Sequence, residues 1–392
     1  MGSRILFIHH GSHDGGAPLS MLYTMKGAVK AGYDVIAGLI NPSKKLHEFY
    51  NSHNFETIEL VDIPRMLTWS GSEGKRYNPI TWWSIFKAAA SWARGHRQLA
   101  KTITDYNIDM IHLNSVSLSN AAAYLNEVKF PFVWHVREHG PSHQGMRYKF
   151  IQNHLKASAE VIFLSKAEQY SWIGNNDHGT VVHNFIDLQK FSYDLEIDDL
   201  KEKYAGSKVI LYVGGFHKFK GIEVLVEALK EIKADYGDKF VCIMPGAKQI
   251  ESKQDKYYRT IISTIDEKGL VDQCEILPFS SNIVELFAAS DVLVFPATTP
   301  HFARPVIEAG AMKKPAVASN LKAIDELVVH GETGYLCKPE DAADLAQYIL
   351  RIFRGPDLAK EMGENGLEFA KQEFEYNNQM KKITNIYDRL LK

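Results

Sequence analysis

Two lysines, Lys218 and Lys220, stand in a loop bounded by Gly214-Gly215 on one side and Gly221 on the other, between an apolar run and a segment of helical periodicity. A cation in such a loop could neutralise a diphosphate, although a solvated charged turn would have the same composition. In the stretch Pro296 to Pro315, Pro305 suits a first helical turn, and Arg304 and Glu308 fall four apart on one helix face. They could form a plain surface ion pair. Glu308, however, interrupts the apolar residues Val306, Ile307, Ala309 and Ala311. A carboxylate in such surroundings needs a partner, and two ribose hydroxyls would suit its two oxygens. In Trp134-His135-Val136-Arg137-Glu138-His139, alternation puts His135 and Arg137 on one face of a strand and Trp134 and Val136 on the other. That polar crowding at a strand end fits a ligand-facing edge, or else a solvated cap of the sheet. Gly15-Gly16, before an apolar helix, could bring backbone close to a ligand with helix amides favouring negative charge, or could be a turn. Trp69, Trp82, Trp83 and Trp92 interleave with Lys75, Arg76, Lys87, Arg94 and Arg97. This is the pattern of an interfacial surface for anionic lipid or a long acceptor, or of tryptophans in a core.

The elements that must position these residues read as two successive α/β patterns. Ile5 to His9 is a buried strand, Gly11 to Gly16 a loop, Ala17 to Lys30 a helix stopped by Gly32, and Asp34 to Leu39 a second strand. Strands are expected again at Met110 to Leu113, Pro131 to Val136, Val161 to Leu164 and Val181 to His183, with helical crossovers between them. Periodicity lapses near Asp187 to Asp199, then the pattern restarts. Strands are expected at Lys208 to Val213, Phe240 to Met244, Glu275 to Leu277, Val292 to Phe295, Ala316 to Ser319 and Gly334 to Leu336. Helices are expected at Ile222 to Lys233, Tyr257 to Glu267, Ile283 to Ala289, Pro305 to Lys313, Ile324 to Val329 and Ala342 to Phe353, with two more to the end of the chain. The fold class that follows is α/β: two Rossmann-like domains with mainly parallel sheets facing across a cleft, with the site at the carboxyl ends of the strands.

Composition narrows the classes. The chain of 392 residues is 45% hydrophobic and 23% charged, with 27 Gly and 14 Pro, which is ordinary for packed domains and excludes disorder and fibres. A formal net charge of -2 offers no global attraction to nucleic acid. Cys242, Cys274 and Cys337 are far apart, form no zinc pattern and fit a reducing compartment. The apolar run after Met1 is short for a signal core, and no uncharged stretch approaches spanning length. A cytoplasmic protein is expected, at the inner face of the membrane if it makes a peripheral contact there.

With these residues in hand, the chain resembles the group 1, family 4 retaining glycosyltransferases of GT-B architecture. Gly15-Gly16-Ala17 is similar to that family's early glycine loop, and Asn184-Phe185-Ile186-Asp187 to its Asn-Gly-Val-Asp segment. Lys220-Gly221 is similar to the Lys-Gly of its donor phosphate loop, and Ser290 to Pro296 to the strand before the donor motif. Phe302 to Pro315 resembles the second half of that motif, including the glutamate at Glu308, and Phe374 with Tyr387 to Leu391 resembles the closing segment. Three positions depart from the pattern. Pro300 stands where the first of two glutamates would fall, Gly215 at the phosphate-loop arginine, and Arg137 at a histidine near the reacting centre.

The resemblance implies an acceptor-side domain over residues 1–190, a nucleotide-sugar donor domain over 191–372, and a helix in 373–392 that crosses back. It implies metal-independent transfer, without cofactor or metal, of a hexosyl or N-acetylhexosaminyl group from a UDP-linked sugar to a saccharide or lipid-linked hydroxyl, with retention. Arg137, His135, Lys220 and Arg304 would be the catalytic residues. Gly15, Gly16, Gly215, Lys220, Phe302, Ala303, Arg304 and Glu308 would bind the nucleotide sugar. The charge on a departing phosphate would then be met by Lys220, Arg304 and the amides of Phe302 to Arg304. The alternative is a nucleotide-sugar-binding or scaffold protein of the same fold without turnover, and a phosphorylase or epimerase of related fold is a further enzymatic option.

Overall fold

The structure, a computed structural model, describes residues 2–10, 16–61, 63, 82–141, 145–193, 195, 197–247, 255–278 and 282–392, without the side chains of 82–90, 247 and 255. Gly15, Trp69, Lys75 and Arg76, and the side chains of Trp82, Trp83 and Lys87, therefore lie outside the described residues. The chain divides into two units, one of Met1–Asn184 with Asn377–Lys392, the other of Phe185–Tyr376.

The first unit contains strands β1 (Arg4–His10), β2 (Asp34–Ile40), β3 (Glu56–Glu59), β4 (Met110–Leu113), β5 (Phe132–Val136), β6 (Glu160–Phe163) and β7 (Thr180–Val181). Between them run helices α1 (Gly16–Lys30), α2 (Lys44–Asn51), α3 (Trp82–Asp105), α4 (Ser119–Val128), α5 (Met146–Ala157) and α6 (Lys166–Ile173). The sheet order is β3-β2-β1-β4-β5-β6-β7, and every pairing is parallel. Strict alternation divides its residues between two faces. Leu6, Ile8, Leu113, Trp134, Val136 and Phe163 join one apolar core. On the other face Phe7 stacks on His112 at 4.7 Å.

The second unit contains β8 (Lys208–Tyr212), β9 (Phe240–Ala247), β10 (Cys274–Pro278), β11 (Val292–Phe295), β12 (Ala316–Ser319) and β13 (Gly334–Cys337). Its helices are α7 (Asp198–Lys203), α8 (Ile222–Tyr236), α9 (Asp255–Glu267), α10 (Ile283–Ala289), α11 (Arg304–Ala311), α12 (Ala342–Arg354) and α13 (Pro356–Phe374). Six parallel strands are ordered β10-β9-β8-β11-β12-β13. Ile210, Tyr212, Leu225, Leu229, Val292, Val294 and Val317 fill the core beneath α8 and α12. The last helix, α14 (Tyr376–Leu390), belongs from Asn377 onward to the first unit. There Tyr387 reaches His112, Asp388 accepts from Tyr33, and Arg389 meets Glu160 at 2.8 Å.

Strand β3 was not expected from the sequence, and two further regions differ from the sequence expectation. Ile324 to Val329 is a series of turns instead of a helix. Ala323 adopts φ 71°, outside the helical region, and the bonds Ile324 N to Leu321 O and Leu327 N to Ile324 O close tighter turns than a helix does. Where the lapse in periodicity ends, the short helix α7 of Asp198–Lys203 forms, with five charged residues of six, and no apolar spacing announces it. Among the described residues no helix is long and apolar enough to cross a membrane.

Helix α11, which carries Arg304 and Glu308, is positioned by close packing against α13. A Cβ on Gly310 would lie 2.9 Å from the Gly366 carbonyl oxygen, and one on Gly363 only 2.1 Å from that of Lys313. Alanine normally stabilises a helix interior over glycine by about 0.5–1 kcal/mol. Here the clash with fixed backbone reverses the sign. Gly363→Ala is expected to cost about 2–3 kcal/mol and to lower the thermal midpoint of the second unit on the order of 5–10 °C by calorimetry. A raised midpoint would show that the helices separate without penalty.

Candidate active site

In a parallel sheet wound in both directions, the helices leave the carboxyl ends of two adjacent strands uncovered where the winding reverses. In the second unit those strands are β8 and β11. Their loops, residues 213–221 and 296–303, are joined at several points. Thr298 N donates to Phe219 O at 3.0 Å, and a Cβ on Gly221 would sit 1.7 Å from Pro296 O. Gly221 also has φ 72°, so this position excludes any side chain twice over. Beneath the first loop the buried Tyr212 hydroxyl donates to Gly215 O at 2.9 Å, and Gly215 has φ 65°. Its glycine thus serves the turn and offers no cation.

Lys220 extends from this loop between two rings, with Nζ 5.2 Å from the centroid of Phe219 and 5.0 Å from that of Phe295. Its hydrogen bond is to His301 Nε2, at 2.7 Å. Burial lowers the pKa of the ammonium to about 8. Among the described residues Lys220 forms no ion pair with a carboxylate. Lys218 is exposed and takes no part. His301 was not singled out from the sequence. The only signal for it was its place in the loop beside Pro300, and its proximity to Lys220 required the two loops to be joined.

Three residues on from His301, Arg304 Nε and Glu308 Oε1 are 3.1 Å apart, and both side chains are largely buried, so the pair is not a surface one. Burial raises the Glu308 pKa, and the Arg304 guanidinium opposes that shift. Arg304 also reaches the Phe185 carbonyl at 3.5 Å. Phe302 and Ala303 are buried at the start of α11, with Phe302 set edge-on to Phe374 at 6.4 Å.

In the first unit the winding reverses between β1 and β4. Gly16 is the exposed first residue of α1. Nearby, Arg137 Nε donates to Asn114 Oδ1 at 2.5 Å, Nη1 to Asn184 Oδ1 at 3.0 Å, and Nη2 to His135 Nδ1 at 3.4 Å. Since a guanidinium only donates, His135 Nδ1 accepts. His112 Nε2, 3.3 Å from the same atom, then carries a hydrogen, and His112 Nδ1 accepts from the Tyr387 hydroxyl at 2.7 Å. Both imidazoles are neutral, with pKa values lowered by burial first and by Arg137 second. His135 does share a face with Arg137, yet it is only 2% exposed and packs inside the unit, unlike the open strand edge expected. That His112 and Asn114 meet Asn184 and Tyr387 around Arg137 was beyond the reach of residue-by-residue reading, because three separate segments supply them. Glu138 is half-buried and accepts from Ser115 Oγ at 2.5 Å and from the amides of Val116 and Arg137 at 2.9 and 3.0 Å. It thus closes the turn after β4. No group of three or more His, Cys, Asp or Glu among the described residues is arranged to hold a metal ion.

A chain of two such parallel-sheet units has the GT-B fold. The chain is similar to Anabaena HepE, solved in complex with UDP, with a TM-score of 0.81 and 20% identity over 98% of this chain and 100% of that one. It is also similar to a glycosyltransferase of Rickettsia africae, with a TM-score of 0.79 and 22% identity over 100% and 99%. Residues 195–369, within the second unit, match the family model for glycosyl transferases, group 1. Among curated sequences, N-acetyl-alpha-D-glucosaminyl L-malate synthase of Bacillus anthracis is 24% identical over 228 residues, and the chain spans 57% of that relative's length.

The buried imidazoles give the first unit a defined pH response. His9 is 2% exposed and accepts from Asn114 Nδ2 at 3.2 Å, and burial, followed by His10 and Arg137, lowers its pKa from 6.5 to about 3. The unfolded chain therefore binds more protons than the folded one between about pH 3 and 6.5, so stability falls as pH drops through that window. From pH 7.5 to 5, His9 alone is expected to account for about 2 kcal/mol, read as a lower urea midpoint. His9→Gln should flatten the slope by that amount, and an unchanged slope would contradict a neutral His9.

Proposed function

We propose that the protein is a retaining, metal-independent glycosyltransferase that takes a hexosyl or N-acetylhexosaminyl group from a UDP-linked sugar and passes it to a hydroxyl of a saccharide or lipid-linked acceptor. The observation that carries this reading is Lys220: a largely buried ammonium with no carboxylate partner among the described residues, at the reversal of winding in a unit that matches the group 1 family. Such a group needs an anion, and a diphosphate supplies one. The likeness to HepE, solved with UDP and also with UDP-glucose, supports a uridine donor.

In this reading Lys220 and the first amides of α11 receive the charge that develops on the leaving phosphate, where a preorganised cation lowers the barrier most. Glu308 holds the ribose hydroxyls while Arg304 keeps its carboxylate ionised. The acceptor oxygen attacks the anomeric carbon on the face from which the phosphate departs, and the departing phosphate oxygen takes the acceptor proton. The first unit provides the acceptor side, with the Gly15-Gly16 pair of the sequence, with Gly16 at the start of α1, and with Arg137 held by Asn114, Asn184 and His135. One observation favours a second reading, a binding protein without turnover: Pro300 leaves the loop beside Lys220 without a carboxylate at that position.

Nucleotide release from UDP-, GDP- and ADP-sugars, followed by acceptor screening, tests both. Turnover with a UDP-sugar and a product of unchanged anomeric configuration by NMR is expected. An inverted product would exclude the proposed attack, and tight UDP binding without turnover would select the second reading. Lys220→Ala should lower kcat/KM by about 10²–10³-fold, and Glu308→Gln should act mainly on donor KM. Because an anion favours protonated Lys220, UDP affinity should be full below about pH 7.5 and fall as pH rises through 8. Calorimetric titration from pH 7 to 9.5 reads that loss, and a flat profile would remove Lys220 from the donor site.

A further inference from the structure

His301 occupies an unusual place beside Lys220. Its Nδ1 lies 2.8 Å from the carbonyl oxygen of Thr299, two residues back, so Nδ1 carries the hydrogen and donates. The Nε2 lone pair is left to accept, and it accepts from the Lys220 ammonium at 2.7 Å. The ring is set on the same two phenylalanines as the lysine, tilted at 5.5 Å from Phe295 and edge-on at 5.9 Å to Phe219. Pro300 sits between the bonded carbonyl and the imidazole. Its fixed φ restricts the short turn that aims the ring. The residue that departs from the family pattern therefore builds a local device of its own.

We infer that His301 is a positioning residue for the donor diphosphate: its Nε2 lone pair holds the Lys220 ammonium in one direction, leaving the other two N–H groups for phosphate oxygens. The inference rests on the donor-site reading above and adds a residue to it. A neutral acceptor suits this task. It orients the cation and favours its protonated form, while leaving its full charge for the ligand, whereas a carboxylate at the same distance would compete with phosphate. Among the described residues, Lys220 faces the rings of Phe219 and Phe295 and the His301 imidazole, with His217 stacked on Phe219 at 5.6 Å.

Three variants, Lys220→Ala, His301→Leu and His301→Gln, test this by calorimetry with UDP and with uridine, and by the titration of 13C-labelled lysine side chains. Glutamine retains an oxygen acceptor near the Nε2 position. His301→Leu is expected to weaken UDP at pH 7.5 about tenfold, to leave uridine binding unchanged, and to shift the Lys220 titration to lower pH, since the ammonium loses its acceptor. His301→Gln should restore most of the UDP affinity and the titration midpoint. If Lys220→Ala weakens UDP while His301→Leu changes neither affinity nor midpoint, the positioning role is wrong and the donor site stands. If the wild-type protein does not bind UDP, or Lys220→Ala leaves its affinity unchanged, the donor-site reading fails and this inference with it.

Discussion

The contact between Gly221 and the carbonyl of Pro296 locks together the two loops that matter most in the second unit. Parallel pairing alone aligns β8 with β11, but it does not determine where the chain goes after the strands end. The missing side chain at Gly221 lets one loop lie on the backbone of the other, and the Thr298 amide bonded to Phe219 secures the same approach. Lys220 and His301 are neighbours as a result. Any Cβ at Gly221 would push the loops apart and separate a pair whose geometry depends on 2.7 Å of distance.

In each unit a cation donates to neutral acceptors. In the first, Asn114, Asn184 and His135 accept from Arg137, and the chain of bonds through His112 ends on Tyr387 of α14. In the second, His301 accepts from Lys220. Amide oxygens and imidazole lone pairs orient a charge without cancelling it, whereas the buried ion pair of Arg304 and Glu308 spends both charges on each other. The difference is that between a cation bonded to neutral acceptors and a pair that fixes one carboxylate on its helix. Burial raises the energy of all these charges and so makes each of them sensitive to what approaches.

Apolar periodicity and glycine punctuation were enough to locate the strands of both sheets except β3, because a strand buried on both faces is a short β-branched run whatever its neighbours are. The helix expected at Ile324 to Val329 failed because apolar spacing says nothing of a residue such as Ala323 held at positive φ. The ion pair of Arg304 and Glu308 was legible from helical spacing, since positions four apart share a face in any α-helix. The apolar neighbours of Glu308 pointed to its burial, whereas the close approach of α11 to α13 at Gly310 and Gly363 was not legible.

What the amino-acid sequence determined by itself was local: the restart of the α/β pattern, the glycine-bounded Lys220 loop, the face shared by His135 and Arg137, and the resemblance carried by those motifs. What only the tertiary structure decided was which of these residues meet. His301 is 81 residues from Lys220, and Tyr387 is 275 from His112. No periodicity or spacing rule operates over such separations, because the sheet order and the backbone contacts that bring these residues together are properties of the packed chain. The Lys220 loop is thus written in sequence, and its partner is chosen by the fold.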